Sequence, residues 1–463
     1  MQTPMTDHRL RLSWLLAAAL LGLGASVVLA PAVFAATVPS AAAILGLVVL
    51  VRRLAPTPTG ETDRRLMTWT IAAFAIRLIV GLVISHSSSA TTYFGGDALS
   101  YHHDAAQLAQ SWAGHAASPT LPAGKEGYYY ELGGLYYVFG ARVDAGIAVN
   151  AFLAAAMVPL LTDVTRRLFG RDAARYAAPL VVLLPGLVIW TSQLLREASV
   201  MFLIVVAADI AVRVAERPTA GRLALLSVDL ALLFAFRANV AYVLLGGVAI
   251  GLILSRRQVV SGVSIGAGML TLSLLLVGGV GIGYSGYREA AKADLQTVNA
   301  ARVDLSTTAA SGFGQNRDVS TPAAAIKYLP TGLAEFALGP FPWQVRGLRQ
   351  IPALVDVIVM WALVPSIRRG VAACRRRHLR AVFVLVIPAV IAACMLALLI
   401  ANFGTVVRER TQVVVLLIPI VSFGLALRAE ERRHDHGDLR MHRATASVGG
   451  RSTGGGRPPG DRP

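Results

Sequence analysis

The sequence predicts an all-α polytopic integral membrane protein with about 12 transmembrane helices. Three observations carry that prediction. Hydrophobic residues fill 55% of the 463 positions and charged residues only 15%, too apolar a balance for an ordinary soluble domain. The apolar residues fall in repeated runs, most of them near the length that crosses a hydrocarbon core of about 30 Å. The arginines behind the net charge of +17 sit in short clusters between those runs. That arrangement sets orientation in a bilayer and is unlike the readers of nucleic acid. No nucleic-acid partner is expected; membrane lipids are.

The runs occupy roughly 12–34, 38–52, 66–85, 143–162, 175–190, 197–213, 222–236, 240–254, 258–283, 351–367, 381–401 and 411–428. The first follows Arg9 and Arg11 and exceeds the apolar core of a signal peptide, so a retained span is expected. Cys374 and Cys394 have neither metal-site nor disulfide-framework spacing. With the N-terminus inside, the inner loops receive Arg52, Arg53, Arg64 and Arg65, then Arg166, Arg167, Arg171 and Arg175, then Arg213, Arg217 and Arg222. Arg256 and Arg257 follow, and then the cluster from Arg368 to Arg380. The positive-inside preference therefore predicts that both termini are cytoplasmic, and a multi-pass protein of the plasma membrane is expected. Residues 1–430 read as one transmembrane domain. Residues 431–463, rich in Arg, Gly, His and Pro, read as a disordered cytosolic tail.

Two outer loops are long, at about 86–142 and 284–350, and loops of that length are usually functional. The first contains Phe94-Gly95-Gly96-Asp97, the first densely polar, non-basic stretch of the chain. From Asp97 a helical pattern starts, with Tyr101, Ala105, Leu108 and Trp112 on one stripe, as in a helix lying on a membrane surface. Asp97 fits a helix cap and fits a general base for an acceptor hydroxyl or amine; the two roles are compatible. Asp104 lies two turns on, near the same face. Adjacent residues His102 and His103 point in different directions on a helix, so no metal site is expected here. Lys125, Glu126 and Glu131 lie among Tyr128, Tyr129, Tyr130, Tyr136 and Tyr137. This patch suits anchoring at the interface or stacking on sugar rings. The second loop ends with Gly339-Pro340-Phe341-Pro342-Trp343.

Three further sets of charges lie at expected outer ends. Arg196-Glu197 either neutralise each other or face the cavity below Asp97. Arg237 interrupts an apolar stretch, either snorkelling to the surface or binding phosphate through its guanidinium. Arg408, Glu409 and Arg410, with Asn402 nearby, leave net positive charge outside, against the positive-inside preference. A lipid-linked phosphate or anionic headgroups would account for it.

An early outer-loop acid, an aromatic patch, Leu168-Phe169-Gly170 on the inner side, and Leu184-Pro185 through Trp190 and Ser192 to Arg196-Glu197 resemble the GT-C superfamily. The nearest branch is the family 39 type, which includes protein mannosyltransferase-like enzymes. The resemblance covers about 66–260 and is architectural beyond that. It implies a GT-C-like fold with interfacial helices in the outer loops. It also implies an inverting transfer of sugar from a polyprenyl-phosphate donor to a glycan, lipid or protein acceptor at the outer face. By position, the catalytic acid is Asp97. Arg237, Arg408 and Arg410 are expected on the donor phosphate. Tyr101, Asp104, Glu126, Tyr128, Arg196, Glu197 and Trp343 are expected along the substrate groove. Many members carry two adjacent acids where this chain has Asp97 alone, so no metal cofactor is assigned. A polysaccharide polymerase or ligase, and a transporter or flippase of lipid-linked glycans, are the competing readings. Dependence on Asp97 separates the first, and mid-bilayer charges or repeats would mark the second.

Overall fold

The computed structural model describes residues 31–54, 61–87, 96–281, 283–291, 294–308, 311–314, 317–345 and 351–449. The architecture is all-α, with no named strand among the described residues. The helices are α1 (Pro31–Leu54), α2 (Glu61–His86), α3 (Gly96–Trp112), α4 (Glu126–Phe139), α5 (Val143–Phe169), α6 (Arg171–Leu183), α7 (Pro185–Ser192) and α8 (Glu197–Glu216). They continue with α9 (Ala220–Ser255), α10 (Val259–Gly279), α11 (Tyr284–Ala291), α12 (Leu295–Thr308), α13 (Pro322–Leu338), α14 (Ile351–Arg377), α15 (Leu379–Leu399) and α16 (Phe403–Gly449).

Among the described residues, eight helices are long and apolar enough to cross a membrane, or nine if the bent pair α6–α7 counts as one span. The expected run 12–34 lies mostly outside the described residues. The run 38–52 falls in α1, which is not one of the eight. The run 175–190 is the bent pair: Pro185 has no N–H to continue the ladder, and the axis turns by 51° there. Arg77, fully buried on α2, spans the bend. Its guanidinium donates to the Val181 carbonyl (2.7 Å) and to the Thr191 hydroxyl (2.9 Å).

The expected runs 222–236 and 240–254 are the two arms of α9. A straight helix of that length would span about 54 Å, yet α9 folds back at Arg237, where the backbone is extended (φ −160°, ψ 87°). Both ends of α9 reach the last turn of α8: Arg222 donates to the Arg213 carbonyl (2.9 Å) and Arg256 to the Val214 carbonyl (2.8 Å). α16 continues to Gly449. Residues 431–449 are thus helical where the sequence reads as a disordered tail; 450–463 lie outside the described residues.

The main core is built from α5, α8, α9 and α16, with alanine and valine at most contact positions. Such small side chains let helices approach closely in a bilayer. Charged groups collect at the two ends. At one end Asp163 meets Arg166, Arg167 and Arg213, and Arg166 reaches the Leu54 carbonyl. At the other end stand Asp97, Glu197, Arg237 and Arg408. Residues assigned to opposite sides by the arginine pattern therefore separate to opposite ends.

A second, smaller core joins α3 to α4. Tyr101, Ala105 and Leu108 are buried against Tyr128, Tyr129, Leu132 and Tyr136. The stripe expected to face lipid covers α4 instead. Tyr101 sets its ring edge-on to Tyr128, with centroids 4.9 Å apart. Trp112, at the end of the stripe, is exposed and stacks parallel to Tyr130.

Candidate functional site

The site forms where α3, α8, α9 and α16 converge. Asp97 is the second residue of α3, so it lies inside the first turn rather than at the cap. Its Oδ2 accepts from Arg408 at 2.7 Å, and its side chain keeps 59% of its surface exposed. Arg408 also donates through Nε to Glu197 Oε1 at 2.6 Å. The same oxygen accepts from Arg237 at 3.2 Å, and Arg237 pairs on its other side with Glu409. Gln412, one turn along α16, donates to the second Glu409 oxygen at 2.7 Å. Arg196 donates to the Phe236 carbonyl at 3.0 Å, next to the fold of α9 at Arg237. Three acids and two arginines thus share one chain of contacts, exposed at Asp97 and buried at Glu197, and Arg196 stands beside it on the Phe236 carbonyl. Arg408 also lies 6.0 Å from the Trp190 ring centre, within cation–π range.

The turn between α7 and α8 is what presents Arg196 and Glu197, and it is held from α5. The buried Asn150 amide nitrogen lies within hydrogen-bond distance of the carbonyls of Gln193 (2.6 Å) and Leu195 (3.0 Å) and of the Tyr128 hydroxyl (3.1 Å), three acceptors that share its two N–H groups. The Gln193 carbonyl also accepts from the Leu195 N–H at 2.8 Å, whereas burying the Leu195 carbonyl unpaired would cost about 1–3 kcal/mol. Asn150 therefore ties the Glu197 turn to the tyrosine patch of α4.

Of the residues expected at the site, Asp97, Arg196, Glu197, Arg237 and Arg408 come together. Arg410 does not. It is buried, pairs with Asp356 at 2.9 Å and donates to the Gly339 carbonyl at 2.8 Å. Successive helical residues turn by about 100°, so Arg408 and Arg410 leave α16 in different directions. Asp356 in turn accepts from the Gly186 N–H at 2.8 Å, at the N-terminus of α7, where a carboxylate is favoured. A Cβ on Gly186 would meet that carboxylate at 2.7 Å. Arg410 thus holds α7, α14 and the end of α13 together. Trp343 is 77% exposed and stacks on Phe341. Arg237 is enclosed between two carboxylates, so it braces Glu197 and Glu409 rather than standing free for a ligand.

Tyr101 and Tyr128 are buried in the α3–α4 core, Glu126 accepts from Ser285, and Asp104 is half-buried beside Tyr129. His102 bonds to the Tyr136 hydroxyl at 2.9 Å while His103 is exposed. Among the described residues no three His, Cys, Asp or Glu side chains gather as metal ligands.

Two contributors were not assigned a site role from sequence. Glu409 completes the ion chain through Arg237; its place between Arg408 and Arg410 was the only sequence signal. Lys125 is half-buried just before α4, within electrostatic reach of Asp97 and of Arg196, Arg237 and Arg408. Burial first, then those guanidiniums, push its pKa down. Arg196 is likewise lowered, by burial and then by Arg237.

Comparison with protein-family models and with characterised proteins finds no match for the chain.

Proposed function

We propose that this chain is a membrane glycosyltransferase of GT-C-like type that passes a sugar from a polyprenyl-phosphate donor to an acceptor at the end of the bundle where Asp97 lies. The observation that supports it is the contact between Asp97 and Arg408: an exposed carboxylate and a guanidinium held side by side at that end. An acid that can take a proton and a cation that can meet a phosphate are the two groups such a transfer needs.

The acceptor O–H gives its proton to the Asp97 carboxylate while its oxygen bonds to the anomeric carbon. The bond from that carbon to the phosphate oxygen breaks, and the electron pair leaves with the polyprenyl phosphate. The phosphate first takes the place of Asp97 on Arg408, freeing the carboxylate to act as base. Arg408 and Lys125 then meet the charge that grows on the departing phosphate. Glu197 and Arg237 hold the Arg408 guanidinium in place. Arg410 has no part in binding the donor.

The test is direct. The purified chain, or membranes containing it, is supplied with a panel of labelled polyprenyl-phosphate sugars, and label transferred to lipid, glycan or protein fractions is counted. Transfer that depends on the chain and is lost in Asp97→Asn is expected. No transfer from any donor, or transfer that persists in Asp97→Asn, overturns the proposal.

A further inference from the structure

A cavity lies at the opposite end of the bundle from Asp97. Along α5, Asn150 is at the Asp97 end and Asp163 at the other, about 20 Å further by helical rise. The cavity encloses about 600 Å³ between α1, α2, α5 and α6. Arg65, Arg166, Arg171 and Arg175 line it, together with Trp69 and Tyr176. Its floor is apolar, with Leu66 and the prolines Pro159 and Pro179 among its lining side chains.

Among the described residues the charges lining this cavity do not balance. Asp163 is the one acid among them, and that carboxylate already meets Arg166, Arg167 and Arg213. Arg175 pairs with Asp172 outside the lining. Arg65 and Arg171 make no ion pair or side-chain hydrogen bond among the described residues, and both are exposed. Two guanidiniums without a partner among the described residues, at the rim of an apolar cleft and flanked by a tryptophan and a tyrosine, match an amphiphile with an anionic phosphate head and a hydrocarbon body.

We propose that this cavity is a binding site for an anionic phospholipid. Its phosphate lies on Arg65 and Arg171, and one acyl chain runs inward past Trp69 between α2 and α6. The lipid would tie α2 to α6, the two helices that Arg77 also joins deeper in the bundle. The inference is independent of the glycosyltransferase reading, because it uses none of the residues at the Asp97 end.

The experiment uses the full chain in detergent, with phosphatidylglycerol, phosphatidylcholine and inorganic phosphate as probes. Native mass spectrometry counts bound lipid, and thermal melting reports stabilisation. Phosphatidylglycerol should bind and raise the melting temperature, while phosphatidylcholine and inorganic phosphate should not. Arg65→Ala/Arg171→Ala should weaken phosphatidylglycerol binding by about tenfold or more. Arg257→Ala/Arg376→Ala, which removes two exposed arginines outside the cavity, should leave it unchanged. Thr162→Trp fills the cavity and keeps every charge, so it should abolish binding by a separate route. Equal stabilisation by inorganic phosphate would make the occupant a soluble phosphate and overturn the lipid assignment. Phosphatidylglycerol binding that survives the alanine pair or Thr162→Trp, or that the control pair removes equally, would overturn the site.

Discussion

Asp97 and Arg408 stand 311 positions apart in the chain and meet at 2.7 Å. The pair is open on the Asp97 side and anchored on the Arg408 side, because Arg408 also holds the buried carboxylate of Glu197. A pair as exposed as this one contributes only about 0–1 kcal/mol to stability. Asp97→Asn separates a role in chemistry from a role in folding. Asparagine keeps the size and can still accept from Arg408, but it cannot serve as a base. Insertion and melting temperature should match the parent protein. Sugar transfer should fall by about 10²–10⁴-fold, the usual loss when a general base is removed. A rate near that of the parent would show that the carboxylate takes no proton.

Arg408 and Arg410 should behave as different kinds of residue. Arg408→Ala leaves Glu197 with Arg237 as its partner, so the protein should still insert. Donor use should fall, because a charge-assisted phosphate contact contributes about 1.5–3 kcal/mol. Arg410→Ala leaves Asp356 buried without its cation, a change that typically costs about 3–5 kcal/mol. It should lower the melting temperature and yield, with the residual folded protein keeping its donor KM. Melting curves and donor titrations on both variants decide this. An Arg410→Ala protein of normal stability with a raised donor KM would return Arg410 to the binding site.

Much of the fold was legible because bilayer burial imposes simple patterns. Apolar runs marked the helices, and the arginine clusters sorted the two ends. The fold at Arg237 was legible for the same reason, since that residue interrupts an apolar stretch; the break before Pro185 was not, because 175–190 read as one continuous span. What was not legible is direction around a helix at a point where several helices meet. Arg408 and Arg410 look equivalent in sequence, and only the packing of α13 and α14 turns Arg410 away. The stripe from Tyr101 to Trp112 showed an amphipathic helix, but its period could not say whether lipid or α4 would cover it. Asn150 carried no signal at all: a single asparagine in an apolar run gains meaning only beside the Gln193 and Leu195 carbonyls.

Orientation is a separate prediction, since the separation of charges to two ends does not say which end faces the cytoplasm. Ser118 is exposed in the connection between α3 and α4, at the Asp97 end. The chain's Cys374 and Cys394 are replaced first, to remove background thiols. A cysteine introduced at Ser118 should then react with a membrane-impermeant maleimide on intact cells. Labelling that needs permeabilised cells would invert the bundle and move the proposed chemistry to the cytoplasmic face.

Glu131 supplies a pH-dependent prediction. It is buried on α4, where Ser199 of α8 donates to one carboxylate oxygen at 2.8 Å and the other oxygen has no partner among the described residues. Burial pushes its pKa up from 4.5 to about 7, outweighing the Ser199 hydrogen bond. The unfolded chain holds this carboxyl at its ordinary value, so between pH 4.5 and about 7 the folded protein binds the extra proton. Stability must therefore fall as pH rises through that window, and above about 7 the folded protein carries a buried charge that the unfolded chain exposes to water. Glu131→Gln keeps the shape and an acceptor for Ser199 but never ionises. Its melting temperature should match that of the parent protein near pH 5 and exceed it near pH 8, with a flatter profile between. A variant that is less stable than the parent at both pH values, with the same slope, would show that Glu131 stays charged in the fold and that its carboxylate is needed there.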